Sequence, residues 1–125
     1  MKSMIVSFSA AVTLVFAGSA FALDMPALAK KNRCNACHAI DKKVIGPAWM
    51  DVSKFYNGKM EKTTAGKSVS EATGGKSPVD WLLIKVSNGG SGNWGSAAMM
   101  PNDPTGRKQE EIKMLVEFVL DLAKQ

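Results

Sequence analysis

The sequence has few of the side chains that hold metals or form covalent bridges. Its 125 residues include one histidine and two cysteines. A structural zinc site takes about four Cys or His ligands, so three such residues argue against one. Long apolar runs are also missing, because the segment 4–16 is shorter than the roughly 20 residues that a membrane-spanning helix needs. No long segment alternates as a strand does and no repeat is present, which excludes β-rich and repeat architectures.

The first 22 residues have the parts of a secretory signal peptide. Lys2 supplies the charged start, segment 4–16 the apolar centre and segment 20–22 the small-residue end. We therefore predict cleavage after Ala22, export to the periplasm and one mature domain at 23–125. Without Lys2, the domain keeps 15 of the 16 Lys and Arg against 11 Asp and Glu, a net charge of +4. A domain this small gains stability from a covalent cofactor or a metal.

Hydrophobic spacing predicts an all-α domain with long loops. The clearest helix is the last, whose apolar stripe consists of Ile112, Leu115, Val116, Val119, Leu120 and Ala123. Other helices are expected at about 27–31, with Asp24 as the cap, at about 52–56 and at about 78–87. Residues 58–78 are rich in Lys, Gly, Ser and Thr, which favours a surface loop with room for one helical turn.

Both cysteines and the single histidine fall within five consecutive residues, Cys34-Asn35-Ala36-Cys37-His38. This pattern is the signature of covalent haem attachment. Helical spacing places the two thiols and the imidazole on one face, so the thiols can form thioethers with one porphyrin while His38 reaches the iron. A thiol-disulfide oxidoreductase built on Cys34 and Cys37 is the alternative, but its usual βαβ context is missing.

A second axial ligand and a support for His38 must come from elsewhere in the chain. A metal-bound imidazole needs an acceptor for its other nitrogen, and a backbone carbonyl in the Gly46-Pro47 turn is a candidate. A methionine sulfur is the natural sixth ligand. The methionines outside the leader are Met25, Met50, Met60, Met99, Met100 and Met114. The pair Met99 and Met100 lies in a glycine-rich loop that can approach a flat ring, although methionine is often only core filler.

These elements together resemble a small bacterial class I monohaem cytochrome c, of the type that donates electrons to nitrite reductases or terminal oxidases. Apart from 58–78, the mature chain has the family's motifs in the family's order. After the haem motif come Gly46-Pro47-Ala48, Asn88-Gly89, Trp94-Gly95, Met-Pro-Asn and a terminal helix. The resemblance implies the cytochrome c fold, with about four short helices around one haem c and its iron.

The resemblance also implies roles for single residues. The carbonyl of Pro47 would orient the proximal histidine, and the methionine five positions after Trp94 would be the ligand, which selects Met99. Met100 stands where the family usually has proline, so it stays the alternative ligand. Asn102 would hydrogen-bond the methionine sulfur, and Trp94 would lie against a haem propionate. Simple core packing is the alternative for Trp94.

Two further packing features follow from the resemblance. The first helix would cross the last near the haem, with Leu28 and Ala29 against Phe118 and Leu115. The insertion 58–78 has no counterpart in compact relatives and is a candidate cover for the propionate edge.

The predicted function is electron transfer by Fe(II)/Fe(III) exchange, without enzyme activity. The predicted partners are a donor and an acceptor in a respiratory chain, with transient contacts. A basic rim could steer an acidic partner, and its residues are Lys30, Lys31, Arg33, Lys42 and Lys43. An ordinary solvated face is the alternative reading. We expect a monomer with no nucleic-acid partner and no membrane span after cleavage. If neither methionine reached the iron, a five-coordinate ligand-binding or peroxidase-like haem protein would result.

Overall fold

The computed structural model describes residues 24–124. Its helices are α1 Ala27–Lys31, α2 Trp49–Tyr56, α3 Val69–Thr73, α4 Pro78–Asn88 and α5 Gln109–Asp121, and short 3₁₀ turns cover Cys34–Ala36 and Leu122–Lys124. The described part of the chain has no strand, only isolated bridges. The all-α prediction is confirmed. The predicted signal peptide lies outside the described residues, and no helix within 24–124 is long and apolar enough to cross a membrane.

Helix α5 is the centre of the packing. Its predicted stripe is buried, with Ile112 fully enclosed, and α1, α2 and α4 all lie against it. Phe55 from α2 is also fully buried in the same core. The contact between α1 and α5 is the one that the resemblance implies. Glu111 reinforces it by accepting hydrogen bonds from Lys31 Nζ at 2.7 Å and from Asn32 Nδ2 at 3.2 Å.

A buried serine fastens α2 to the C-terminal turn. The Ser53 hydroxyl donates to the carbonyl of Leu120 at 2.8 Å and accepts from the backbone N–H of Ala123 at 2.9 Å. Asn57 Nδ2 donates to the same Leu120 carbonyl. Because an unpaired buried polar group is costly, these bonds fix the angle at which α2 meets the end of α5.

Two local predictions need correction. Asp24 does not cap α1, because the cap position is Pro26 and the Asp24 carboxylate accepts from the N–H of Met25 instead. The segment 58–78, predicted as a surface loop with room for one helical turn, contains the five-residue helix α3, which is partly buried and not confined to the surface. Ser68 and Glu71 form a reciprocal capping box at its start.

Helix α3 also contributes to the interior. Ala72 and Thr73 are buried, and Ala72 belongs to the main hydrophobic core. The insertion is therefore partly a core element. Local composition concealed this, because the inward-facing residues lie among polar neighbours; they are Met60, Thr63, Val69, Ala72 and Thr73.

Candidate functional site

A cavity of about 520 Å³ lies between the haem-type motif and the loop that bears Met99 and Met100. Residues within 32–38, 45–49 and 90–102 contribute to its lining. The interior is apolar, with side chains from α2, α4 and α5. These are Val52, Leu82, Val86, Leu115, Val116 and Val119.

The motif residues enter the cavity from a tight turn. Arg33 adopts a left-handed conformation with φ 60°, which reverses the chain after α1 and starts the 3₁₀ turn. The N–H of His38 donates to the carbonyl of Cys34 at 2.9 Å. Cys34, Cys37 and His38 all line the cavity. The common face predicted from helical spacing is thus present, although the turn is 3₁₀ and not α-helical.

The imidazole of His38 has one nitrogen engaged and one available. Its Nδ1 lies 2.8 Å from the backbone carbonyl of Pro47. Since a carbonyl can only accept, Nδ1 bears the proton and Nε2 keeps its lone pair. Burial lowers the pKa of His38, and the Pro47 bond opposes that shift only in part. The neutral ring with an available Nε2 is the form that binds a metal.

Gly46 provides the surface on which this ring lies. A Cβ added to Gly46 would stand 2.5 Å from Cε1 of His38 and 2.9 Å from Nδ1. No side chain fits there without displacing the imidazole. The Gly46-Pro47 turn therefore both supports the ring and orients it.

The two cysteines are half-buried, and the structure contains no disulfide between them. Burial raises the pKa of the Cys34 thiol, and the neighbouring Cys37 adds to this effect. A thiol with a raised pKa is a poor nucleophile at neutral pH, which disfavours thiol-disulfide exchange.

Met99 and Met100 both border the cavity, but they differ in exposure. Met99 is half-buried, whereas Met100 is 77 % exposed. Met99 and Gly90 exchange two backbone hydrogen bonds of 2.9 Å each, which fix the backbone of Met99. Gly89 makes this approach possible, because its φ is 71° and an added Cβ would lie 2.3 Å from the Met99 carbonyl oxygen.

Asn102 lines the cavity but has a different partner from the one that the resemblance implies. Its Nδ2 donates to the carbonyl of Asn32 at 3.0 Å. No hydrogen bond joins Asn102 to a methionine sulfur among the described residues, so that role stays a prediction. Its buried Oδ1 has no partner within the described part of the chain.

Trp94 is half-buried, lines the cavity, and packs edge-on against Phe55 with ring centroids 5.5 Å apart. The inserted segment holds its loop, since Thr64 Oγ1 donates to the Trp94 carbonyl at 2.7 Å and Asn93 Nδ2 donates to the Ala72 carbonyl at 3.3 Å. Trp94 therefore has a packing role in this fold, whatever else it contacts.

Two polar side chains of the cavity were missed by the sequence analysis. Lys85 lies on the inner side of α4, and burial lowers the pKa of its ammonium group. Tyr56 at the end of α2 is buried, and its hydroxyl accepts from Trp81 Nε1 at 3.1 Å. The signal for Lys85 was present, because it falls on the same helical stripe as Leu82 and Val86. Nothing in the local pattern singled out Tyr56.

The composition of the wall suits an iron porphyrin. Among the residues described by the structure, the lining includes no Asp or Glu, and its charged members are Arg33 and Lys85. Apolar walls suit the macrocycle, the thiols and the imidazole suit the attachment, and the two cations suit the propionates. The residues present thus fit a haem.

Comparisons with known proteins agree with this fit. The cytochrome c family model matches residues 26–123. Cytochrome c-552 of Hydrogenobacter thermophilus is 37 % identical over 106 residues, which cover 85 % of this chain and 87 % of that protein. Cytochrome c-552 of Nitrosomonas europaea is 34 % identical over 122 residues, which cover 98 % of this chain and 99 % of that protein.

The solved structures give the same result. The crystal structure of wild-type Nitrosomonas europaea cytochrome c552 superposes with a TM-score of 0.57 at 33 % identity, covering 76 % of this chain and 95 % of that one. Sequence, fold and cavity chemistry agree, and the chain belongs to the cytochrome c family as an electron carrier, not an enzyme, with covalently bound haem c as its cofactor.

Proposed function

We propose that this protein is a monohaem carrier with His38 and Met99 as axial ligands of the iron and with thioether bonds from Cys34 and Cys37. One observation supports this most directly. The imidazole, with Nε2 available, and the half-buried Met99 line the same apolar cavity, although they lie 61 positions apart in the sequence.

The haem supplies one-electron Fe(II)/Fe(III) exchange, and the chain controls its surroundings. The carbonyl of Pro47 holds the proximal imidazole in one tautomer and one plane. The apolar side chains of α4 and α5 exclude water from the interior. A fixed ligand set reorganises little during electron transfer, which is what a carrier requires.

Met99 is the better candidate for the second axial position. Its backbone is fixed by the Gly90 bridge, and its side chain is partly withdrawn from solvent. Met100 is 77 % exposed at the mouth of the cavity. The position five residues after Trp94, typical of the family, selects the same residue.

Polar groups of the cavity wall are assigned to the propionates. Trp94 has the role that the resemblance implies, and Lys85 adds a cation. Tyr56 adds a hydroxyl whose oxygen accepts from Trp81, while its proton has no acceptor among the described residues. Buried hydrogen-bond donors are nearly always paired, and a carboxylate is a strong acceptor, so a propionate is a suitable partner for the Tyr56 hydroxyl.

The test is the reaction of the reduced protein with carbon monoxide. A filled sixth position makes the wild type react slowly, and the ferric protein shows an iron-to-sulfur charge-transfer band. Met99→Ala should abolish the band and open the iron, whereas Met100→Ala and the exposed control Met114→Ala should do neither. Rapid binding by the wild type would instead support a five-coordinate ligand-binding protein.

We further propose that the carrier works in the periplasm, between a donor and an acceptor of a respiratory chain. The predicted leader supports the location. Two lysines of the predicted basic rim have acidic neighbours, because Lys30 pairs with Asp24 at 3.5 Å and Lys31 pairs with Glu111.

Arg33, Lys42 and Lys43 are exposed and remain as the steering charges. Beside them, the exposed Ile45 and Met100 border the cavity mouth and offer an apolar contact. If these charges steer an acidic partner, the second-order rate of electron transfer falls as ionic strength rises. A rate independent of salt would leave the rim as an ordinary solvated surface.

A further inference from the structure

The segment that follows Met99 returns to the helical core through a buried carboxylate, Asp103. This residue is only 3 % exposed, which is unusual for an aspartate. A buried carboxylate is tolerated only when hydrogen bonds or charges replace its water. Asp103 was not a candidate site residue in the sequence, and it does not line the cavity.

Three donors satisfy the side chain of Asp103. The backbone N–H of Arg107 donates to Oδ1 at 2.9 Å. The backbone N–H of Lys108 and the side-chain Nε2 of Gln109 donate to Oδ2 at 2.9 and 2.7 Å. These donors belong to the start of α5, so the carboxylate ties the end of the methionine loop to that helix.

The backbone around Asp103 is tied to a second helix. The N–H groups of Asn102 and Asp103 donate to the carbonyls of Val86 and Ser87 at 3.0 and 3.1 Å. Those carbonyls lie in the last turn of α4, where helix carbonyls lack partners within the helix. Gln109 Nε2 also donates to Ser87 Oγ at 2.9 Å, which joins α4 and α5 at the same point.

The loop is therefore held at the proposed ligand and again beyond it. At the ligand, the backbone of Met99 bridges to Gly90 just after α4. After it, Asp103 fixes the chain four residues later. Between these anchors, Pro101 limits the backbone, so the position of the Met99 side chain depends on where both anchors are.

We propose that Asp103 is a positioning residue for Met99: by fixing segment 99–103 to α4 and α5, it holds the methionine sulfur at the iron. This proposal rests on the axial role of Met99 proposed above. Asp103 contacts neither the cavity nor the cofactor's position, so it acts only through the loop. Loss of its bonds allows the sulfur to leave the iron without unfolding of the helices.

A carboxylate suits this position better than any neutral side chain of similar shape. Two separate oxygens accept from three donors that converge from one side. In Asp103→Asn one oxygen becomes an NH₂ group, which faces a donor and can accept nothing. Hydrogen bonds to charged acceptors are also stronger than neutral ones, so both the number and the strength of the bonds fall.

The experiment compares full-length haem-loaded wild type with Asp103→Asn and with the control Asp121→Asn. Asp121 lies on α5 and its carboxylate is exposed, with Lys124 as its one bonding partner among residues 24–124. Two quantities are measured on each: the rate of carbon monoxide binding to the reduced protein, and the denaturant midpoints for loss of the charge-transfer band and of helical circular dichroism. Gln109→Leu is a second variant, which removes one donor and leaves the carboxylate intact.

If Asp103 positions Met99, carbon monoxide binds Asp103→Asn about tenfold faster or more, as expected for the loss of a charged hydrogen bond. In Asp103→Asn the charge-transfer band is then lost at a lower denaturant concentration than the helical circular dichroism. Gln109→Leu shows a smaller change of the same kind, and Asp121→Asn matches the wild type.

An unchanged carbon monoxide rate in Asp103→Asn and Gln109→Leu, or band and helix lost together at one lowered midpoint, would make Asp103 an ordinary stabilising residue and overturn the proposal. Rapid binding by the wild type itself would instead refute the axial role of Met99, and this proposal with it.

Discussion

The contact between Gly46 and the imidazole of His38 allows a sharp prediction. In Gly46→Ala the new methyl group would start 2.5 Å from Cε1, 2.9 Å from Nδ1 and 3.0 Å from Nε2 of the ring. Ordinary contacts begin near 3.4 Å. The ring or the turn must therefore retreat by about 1 Å, a displacement of the size that overpacked sites accommodate at a cost of about 1–3 kcal/mol.

The displacement also acts on the ligand geometry. The bond from Nδ1 to the Pro47 carbonyl is 2.8 Å long, and a shift of that size takes it beyond the roughly 3.2 Å limit of a good hydrogen bond. His38 would lose its orientation and part of its basicity toward the iron. We expect Gly46→Ala to lower the free energy of unfolding by about 1–3 kcal/mol and to change the reduction potential.

The assay pairs denaturant unfolding with potentiometry and uses Gly66→Ala as the control. Gly66 has φ 78° and nothing within 4 Å of an added Cβ, so its substitution costs roughly 1–2 kcal/mol of backbone strain without touching the site. Both variants should lose stability, but only Gly46→Ala should change the potential. A wild-type potential in Gly46→Ala, or equal shifts in both variants, would refute the reasoning.

Other features lead to three more predictions. Ser53→Ala leaves the N–H of Ala123 buried without its partner, so the free energy of unfolding should fall by about 1–3 kcal/mol with an unchanged haem spectrum. Lys85→Gln removes a cation from the cavity wall, which favours the ferric state, and should lower the reduction potential by about 50 mV. A shift of this size is close to a tenfold change in the equilibrium constant of one-electron reduction. Acidification should destabilise the fold: the pKa of Glu111 is lowered by Lys31, and that of Asp103 is lowered because its hydrogen bonds outweigh its burial. Because the pKa of each carboxylate is lower in the folded state than in the unfolded state, both groups stabilise the fold above about pH 4, the pKa in the unfolded chain. This stabilisation is lost as the pH falls through the pKa values of the folded state. The measurement is the uptake of protons on unfolding in this pH range.

Matched variants check these predictions. Ser70→Ala changes an exposed serine of α3 and should leave stability nearly unchanged. Lys76→Gln removes an exposed lysine outside the cavity, so a shift as large as that of Lys85→Gln would refute a local effect of the cavity cation. Glu111→Gln should weaken the loss of stability between about pH 5 and pH 3, and an unchanged pH profile would remove Glu111 from the explanation.

The parts of the fold that sequence predicted are those whose information is local. The stripe of α5 repeats with helical period. Helix α4, predicted at about 78–87, begins at its N1 proline and ends at Asn88 before a glycine. The haem motif is five adjacent residues. None of these needs knowledge of a distant partner.

Several of the missed features depend on distant partners. Ala72 is buried only because α3 folds back toward the core, and Asn102 bonds to a carbonyl 70 residues away. Asp103 looks like a turn residue until α4 and α5 converge on it. These contacts have no periodicity in the sequence, so a single sequence does not predict them.

The two proposed ligands are held by different kinds of structure, and this has a consequence for function. His38 follows the proposed thioether positions, lies on Gly46 and bonds to a backbone carbonyl, so most local fluctuations leave it in place. Met99 lies in a loop that is fixed to α4 and α5 by hydrogen bonds, through its Gly90 bridge and the bonds of Asp103. Local opening begins where few apolar contacts support the chain. We therefore expect the methionine side to open first, so that the stability of this loop, more than that of the whole domain, sets the fraction of protein able to work as a closed electron carrier.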